Sequence, residues 1–145
     1  MAKERIHPKT YCCIECGTEA EYRVSKRNTY CSITCQQTAQ YKNYIRQWLN
    51  GELTGSGVHG PSKHIKRYIL ESQGHRCAKC GIDSWNSKPI VLELEHIDGQ
   101  SSNNELSNLE CLCPNCHSQT ASYKGANRGN GRHLRRLRYA EGKSF

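Results

Sequence analysis

The chain has 145 residues, of which 35% are hydrophobic, and carries a formal charge of +8. That allows one ordinary domain or two very small ones, with too few apolar side chains for a large core. It excludes a membrane span, because no stretch approaches about 18 apolar residues. It also argues against a secreted disulfide framework, because MAKERIHPKT is charged where a signal segment would be apolar. Ten cysteines remain to stabilise the small core, several of them in Cys-x2-Cys spacing. That spacing suits zinc in a reducing cytoplasm better than disulfides. The positive charge favours a polyanionic partner, and nucleic acid fits because no amphipathic membrane helix stands out.

Residues 1–10 read as a disordered basic arm. Residues 11–50 read as a zinc module with a helix. Its cysteines are Cys12, Cys13, Cys16, Cys31 and Cys35. The expected structural zinc ligands are Cys13, Cys16, Cys31 and Cys35, with Cys12 a rival for the first position. GTEAEYRVSKRNTY, between the two pairs, reads as a short hairpin. The pattern resembles small treble-clef zinc modules. Residues 33–50 read as a helix, because Tyr41, Tyr44, Ile45, Trp48 and Leu49 recur at the spacing of one apolar face. The stripe reads as core, and Gly51 as the stop. Residues 51–60, GELTGSGVHG, contain four glycines and read as a linker.

A second helix is expected after Pro61, with Ser62 as its N-cap and Gly74 at its end. Ile65, Tyr68 and Ile69 would face inward. Lys63, Lys66 and Arg67 would lie on other faces, as phosphate contacts or as a solvated surface. Cys77 and Cys80 follow at once, and Cys113 and Cys116 close the same stretch. Two Cys-x2-Cys pairs are the ligand set of a closed structural zinc site. Between them IVLELEHI alternates like a strand, DGQSSNNELS is a polar loop, NLECL is a second strand, and CPNCHSQTASY turns into a helix. The fold class is therefore small, zinc-stabilised α+β. Its second half runs strand, loop, strand, helix. Glu95, His96, Asn108 and His117 stand apart from the four cysteines.

LELEHIDG followed by NNELSNLECLCPNCHSQTASYKG, within residues 75–128, resembles the HNH endonucleases, also called ββα-metal nucleases. A narrower subgroup is similar to nearly the whole chain. The resemblance implies a ββα-metal motif clipped by the four-cysteine zinc site, within a nuclease domain spanning 61–128. It makes Glu95 a catalytic metal ligand and His96 the general base. Asn108 would hold the loop between the strands, and His117 would be the second ligand from the helix. Phosphodiester hydrolysis needs an activated water and a Lewis acid. A neutral imidazole and an open site for one Mg²⁺ or Mn²⁺ supply them, beside two structural zinc ions. Asp98 is a rival metal ligand. Strict alternation puts Glu95 and His96 on opposite faces of the strand. Gln119-Thr120 stands where many relatives carry Lys-Thr, which removes one phosphate contact.

The expected function is metal-dependent cleavage of double-stranded DNA by a free-standing enzyme of phage or homing type. One catalytic centre suits a monomer, with a dimer left open. The alternative is a zinc-finger DNA-binding protein that never cuts. A weaker third reading is an RNA-binding or RNA-cleaving zinc protein.

From Lys124 onward there are seven Lys/Arg against one Glu, a balance of +6. Lys124, Arg128, Arg132, Arg135, Arg136 and Arg138 are candidate DNA-backbone contacts, most of them in a basic tail at 129–145. Removing that tail is expected to weaken DNA binding without touching the chemistry. The slope of log affinity against log salt should flatten by roughly one unit per lost phosphate contact. An unchanged slope in a salt titration would mean the tail is merely solvated.

Overall fold

Tight cysteine turns, short hairpins and capped helices account for the architecture, and each has a local cause. The computed structural model describes residues 8–25, 27–57, 60–124, 137 and 140–142. Most of the expected basic arm lies outside these residues, as do Arg128, Arg132, Arg135, Arg136 and Arg138 of the tail. The chain divides into two compact units, Met1–Tyr44 and Ile45–Phe145. No described helix is long and apolar enough to cross a membrane.

In the first unit β1 (Thr10–Cys12) pairs antiparallel with β2 (Glu19–Glu21). The turn joining them is the Cys13-x2-Cys16 pair. The Gly17 N–H donates to the Cys13 carbonyl at 2.8 Å, and the Cys13 N–H donates to the Thr18 carbonyl at 2.9 Å. Gly17 takes a φ of +72°, a conformation open to glycine at little cost. The hairpin therefore wraps the first cysteine pair, whereas the sequence reading put it between the two pairs. The Cys13-x2-Cys16 turn itself reverses the backbone, so the segments on either side of it pair. The segment after β2 is held by Asn28, whose side-chain amide pairs with the Arg23 N–H and carbonyl at 2.8 Å each.

Helix α1 (Ile33–Leu49) starts at Ser32, whose hydroxyl accepts from the Cys35 N–H at 3.1 Å. It stops at Gly51, φ +75°, with the Glu52 N–H donating to the Gln47 carbonyl and the Gly51 N–H to that of Trp48. These two bonds form a Schellman motif. Tyr41, Ile45 and Trp48 are buried, whereas Leu49, the last residue of the helix, is exposed.

In the second unit, β3 (Ser56–Gly57) pairs with β4 (Gly60–Pro61), so the glycine-rich stretch contributes to a two-stranded sheet. Ser62 caps α2 (Lys63–Ser72), accepting from the His64 N–H at 3.3 Å. Ile65 and Ile69 are buried on its inner face, and Tyr68 meets Trp48 edge-on with centroids 5.8 Å apart. A small hairpin follows, β5 (Ser84–Trp85) with β6 (Lys88–Pro89). Asn86 and Ser87 both have positive φ at its tip, as a two-residue hairpin turn requires.

Next comes the central pair. β7 (Glu93–His96) runs antiparallel to β8 (Leu109–Leu112), in the register Glu93↔Leu112, Leu94↔Cys111, Glu95↔Glu110, His96↔Leu109. The ladder is shorter than the alternating run Ile90–Ile97 suggested. A 3-10 turn at Leu106–Asn108 leads into β8. Helix α3 (Pro114–Ser118) follows, with Cys113 as N-cap and proline in its first turn.

Gln73, at the end of α2, ties that helix to β8. Its Oε1 accepts from the Cys111 N–H at 2.8 Å and its Nε2 donates to the Cys111 carbonyl at 3.0 Å. Cys111 and Leu112 are fully buried, and burial pushes the Cys111 thiol up to about 11. It is an inert packing residue.

Gly55 has a φ of +74°, and a Cβ there would stand 2.4 Å from Ile65 Cδ1 and 3.0 Å from Trp48 Nε1. Ile65 is fully buried and has nowhere to go. Gly55→Ala is therefore expected to destabilise the second unit by about 1–3 kcal/mol, from overpacking and strain. Equilibrium unfolding in urea would measure it. A wild-type midpoint would mean that the turn relaxes freely.

Candidate functional site

The cysteines form two groups. Cys13, Cys16, Cys31 and Cys35 bring one sulfur each to within 4.8 Å of one another, and so do Cys77, Cys80, Cys113 and Cys116. Cys12 is outside the first group and exposed. The second knuckle repeats the first: the Gly81 N–H donates to the Cys77 carbonyl at 2.9 Å, and Gly81 has a φ of +74°.

Four soft sulfurs with no carboxylate among them fit a closed zinc centre. The electrostatics fit as well. The Cys31 N–H, opposed by burial and joined by the N–H groups of Cys16 and Glu15, draws the Cys13 thiol down to about 6. Burial pushes the Cys77 thiol up, but the N–H groups of Cys113, Cys80 and Lys79 bring it to about 6. The neighbouring sulfurs of Cys35 and Cys16 push Cys31 up to about 12, and those of Cys80 and Cys113 do the same to Cys116. Crowded thiols cannot all ionise unless a cation lies among them. Each quartet could hold a zinc ion.

The acid–imidazole cluster sits where β7 faces α3. Glu93 and Glu95 are two residues apart and share one face of β7. His117, on α3, lies between them. Its Nε2 is 2.9 Å from Glu95 Oε2, and its Nδ1 contacts Glu93 Oε2. Glu95 is only 8% exposed, and its other oxygen accepts from the Ser122 hydroxyl. Tyr123 stands edge-on to the His117 ring, with centroids 5.2 Å apart. A neutral imidazole has one N–H, yet a carboxylate faces each of its nitrogens. One contact therefore needs a further proton or a metal cation. A carboxylate oxygen and an imidazole nitrogen facing each other are a donor set suited to a hard or borderline divalent cation.

His96 lies on the other face of β7, where its Nε2 meets Asn104 Oδ1 at 2.9 Å. Glu95 and His117 come together, and His96 stands apart from them. Asn108 is buried in the loop. Its Oδ1 accepts from the Asp98 N–H at 3.0 Å, and its Nδ2 donates to Asp98 Oδ1 at 2.9 Å and to the Asn103 carbonyl at 2.8 Å. Burial raises the Asp98 carboxyl. Hydrogen bonds from Gln100, Asn103 and Asn108, with the nearby charge of His96, outweigh that and hold it below the usual range. Asp98 is thus bound to its own loop, away from the Glu95–His117 pair.

Among the candidate DNA contacts, Arg67 pairs with Glu71 at 2.7 Å, Lys63 is exposed and Lys66 is half-buried. Lys66 lines an open groove of about 740 Å³ with Leu70, His75, Asp83, Lys88 and Val91. The Lys124 ammonium stands 4.8 Å from the Tyr123 ring centroid, and Tyr123 holds its pKa up. That places one cation at the rim of the His117 cluster.

Sequence reasoning missed Glu93, Ser122 and Asn104. Glu93 was legible from the two-residue strand period. Ser122 and Asn104 carry no local signal.

These features define a small α+β protein with two four-cysteine groups and a separate acid–imidazole pair. The chain is 50% identical over 70 residues to the H-N-H endonuclease F-TflIV of Escherichia phage T5. The matched stretch is 47% of this chain and 31% of that relative, so the chain spans about a third of the relative's length. The resemblance to HNH endonucleases drawn from the motifs is borne out by this match. No family model matches the chain, and no solved structure matches it.

Metal analysis of the purified chain should find two zinc ions. Their binding should release protons, because zinc takes thiolates and the neighbouring sulfurs hold Cys31 and Cys116 up at about 12 before the metal enters. The apparent affinity should therefore fall as pH is lowered from about 8 to about 6, read by competition with a chromophoric chelator. A chain holding one zinc or none, with unchanged circular dichroism, would contradict the assignment.

Proposed function

We propose that the chain is a metal-dependent HNH endonuclease that hydrolyses phosphodiester bonds of double-stranded DNA. The observation that carries the reading is the 2.9 Å approach of Glu95 Oε2 to His117 Nε2 across β7 and α3, with His96 next in the strand and a four-cysteine group beside the helix. The phage endonuclease similar over 70 residues supports it. The strand pair and α3 serve as the ββα-metal motif, within a nuclease domain at 61–128. The first four-cysteine unit and the basic tail extend the footprint on DNA.

Glu95 and His117 would hold one Mg²⁺ or Mn²⁺, which when bound would neutralise charge on the scissile phosphate and the leaving 3′-oxygen. Ser122 and Glu93 orient the two ligands through the atoms that do not face each other. His96 accepts the proton of the attacking water. His96 is the last residue of β7, and the twist at a strand end is what would let it and Glu95 serve one site. In-line displacement puts attacking and leaving oxygens on opposite sides of phosphorus, so base and metal ligands must flank the phosphate. Asn108 and Asp98 stiffen the loop that connects the two sides. Lys124 and the tail cations neutralise the DNA backbone.

The test is a plasmid-nicking assay with Mg²⁺ against EDTA. Binding without cutting would favour the zinc-finger alternative, and a matched RNA substrate addresses RNA cleavage. His96→Ala should lower the single-turnover rate by ~10²–10⁴-fold with zinc content and DNA affinity kept. Glu95→Ala and His117→Ala should lose activity and regain part of it at high Mn²⁺. Wild-type cutting by His96→Ala would remove His96 as the base.

A further inference from the structure

Asn104, in the loop between β7 and β8, is 4% exposed, and the cleavage reading gives its side chain no task. Nδ2 faces the Thr54 carbonyl at 3.4 Å and Ser56 Oγ at 3.3 Å. A carbonyl accepts and never donates, so the nitrogen end of the amide belongs there. The oxygen end is then the one that meets His96 Nε2 at 2.9 Å. An amide oxygen accepts and never donates, so His96 donates from Nε2. A neutral ring so bonded keeps its lone pair on Nδ1. No group among the described residues hydrogen-bonds that atom. The Asn104 backbone is itself fixed, because the buried Trp48 Nε1–H donates to its carbonyl at 2.8 Å. Gly55 lets Thr54 and Ser56 approach, and its carbonyl accepts from the Ser62 N–H at 2.9 Å.

We propose that Asn104 is a positioning residue. It locks His96 in the Nε2–H tautomer and leaves Nδ1 as the atom that takes the proton from water. The proposal rests on the reading of His96 as general base. A neutral amide is suited to the task. It selects a tautomer and an orientation without adding a negative charge that would favour the protonated ring.

The test uses the full zinc-loaded chain labelled with ¹⁵N. Long-range ¹H–¹⁵N correlation separates a protonated ring nitrogen from a bare one, and the His96 signals are those lost in His96→Ala. The expected result is a proton on Nε2 and a bare Nδ1. In Asn104→Ala the ring should become a mixture of tautomers. Its kcat should fall by up to ~10²-fold while KM for plasmid and zinc content hold, since orientation alone is lost. A wild-type ring protonated at Nδ1 overturns the proposal, and this measurement needs no variant that might misfold. Wild-type kcat in Asn104→Ala overturns it as well. If the Nε2–H tautomer is found but His96→Ala cuts normally, the base reading has failed and the catalytic role of Asn104 falls with it.

Discussion

The geometry of the second unit depends on the convergence of Cys77, Cys80, Cys113 and Cys116. The first pair follows α2 directly, and the second opens α3 directly after β8. Glu93, Glu95, His96 and Asn108 lie between them, and His117 follows the last cysteine at once. Cys113 has two tasks, because its sulfur joins the quartet and also caps α3 by accepting from the Cys116 N–H at 3.4 Å. The helix that carries His117 therefore begins on the metal group itself. The apolar core of this unit rests on a handful of side chains, among them Ile65, Ile69, Leu92, Leu109 and Leu112. So small a core cannot by itself hold a five-residue helix against a four-residue strand. Metal binding energy at such a site is folding energy, and a zinc ion in the quartet could close the gap.

Burial of Glu95 follows from this frame and would be costly elsewhere. A carboxylate removed from water needs hydrogen-bond partners on both oxygens. His117 supplies one partner and Ser122 the other. Both lie on or just beyond α3, so the cost is met only when the helix is docked. Glu93, one strand period earlier and exposed, completes the second side of the imidazole. The face opposite carries His96 against Asn104. The two faces of one short strand thus present different chemistry, a carboxylate against the His117 imidazole on one and the His96 imidazole against the Asn104 amide on the other.

Each four-cysteine group uses the same local solution, a Cys-x2-Cys turn closed on a glycine in the left-handed region. In each, backbone N–H groups point at one sulfur and acidify it. The two groups differ in their second pair, which in the first unit has Cys35 in the opening turn of α1 and in the second has Cys113 capping α3. The same metal chemistry could therefore stabilise both units, while the acid–imidazole pair belongs to the second.

The ligand quartets, the long helix, the capped second helix and the strand–loop–strand–helix order were legible in the sequence. They are written in short-range spacing: thiol pairs three residues apart, apolar side chains at helical intervals, Ser62 at a helix start. Glu95, His96, Asn108 and His117 were legible as a motif. Their partition was not. Strand alternation separated Glu95 from His96, but only the packing of α3 on β7 brought His117 to Glu95 and to Glu93. The burial of Asn104 was decided by tertiary structure as well, because it depends on residues far away in the chain, Thr54 and Trp48. The hairpin around Cys13 and Cys16 and the two-residue turn at Asn86-Ser87 are local, but no apolar period marks them. A pattern of period two or 3.6 records which face a side chain occupies, and it says nothing of what will stand opposite.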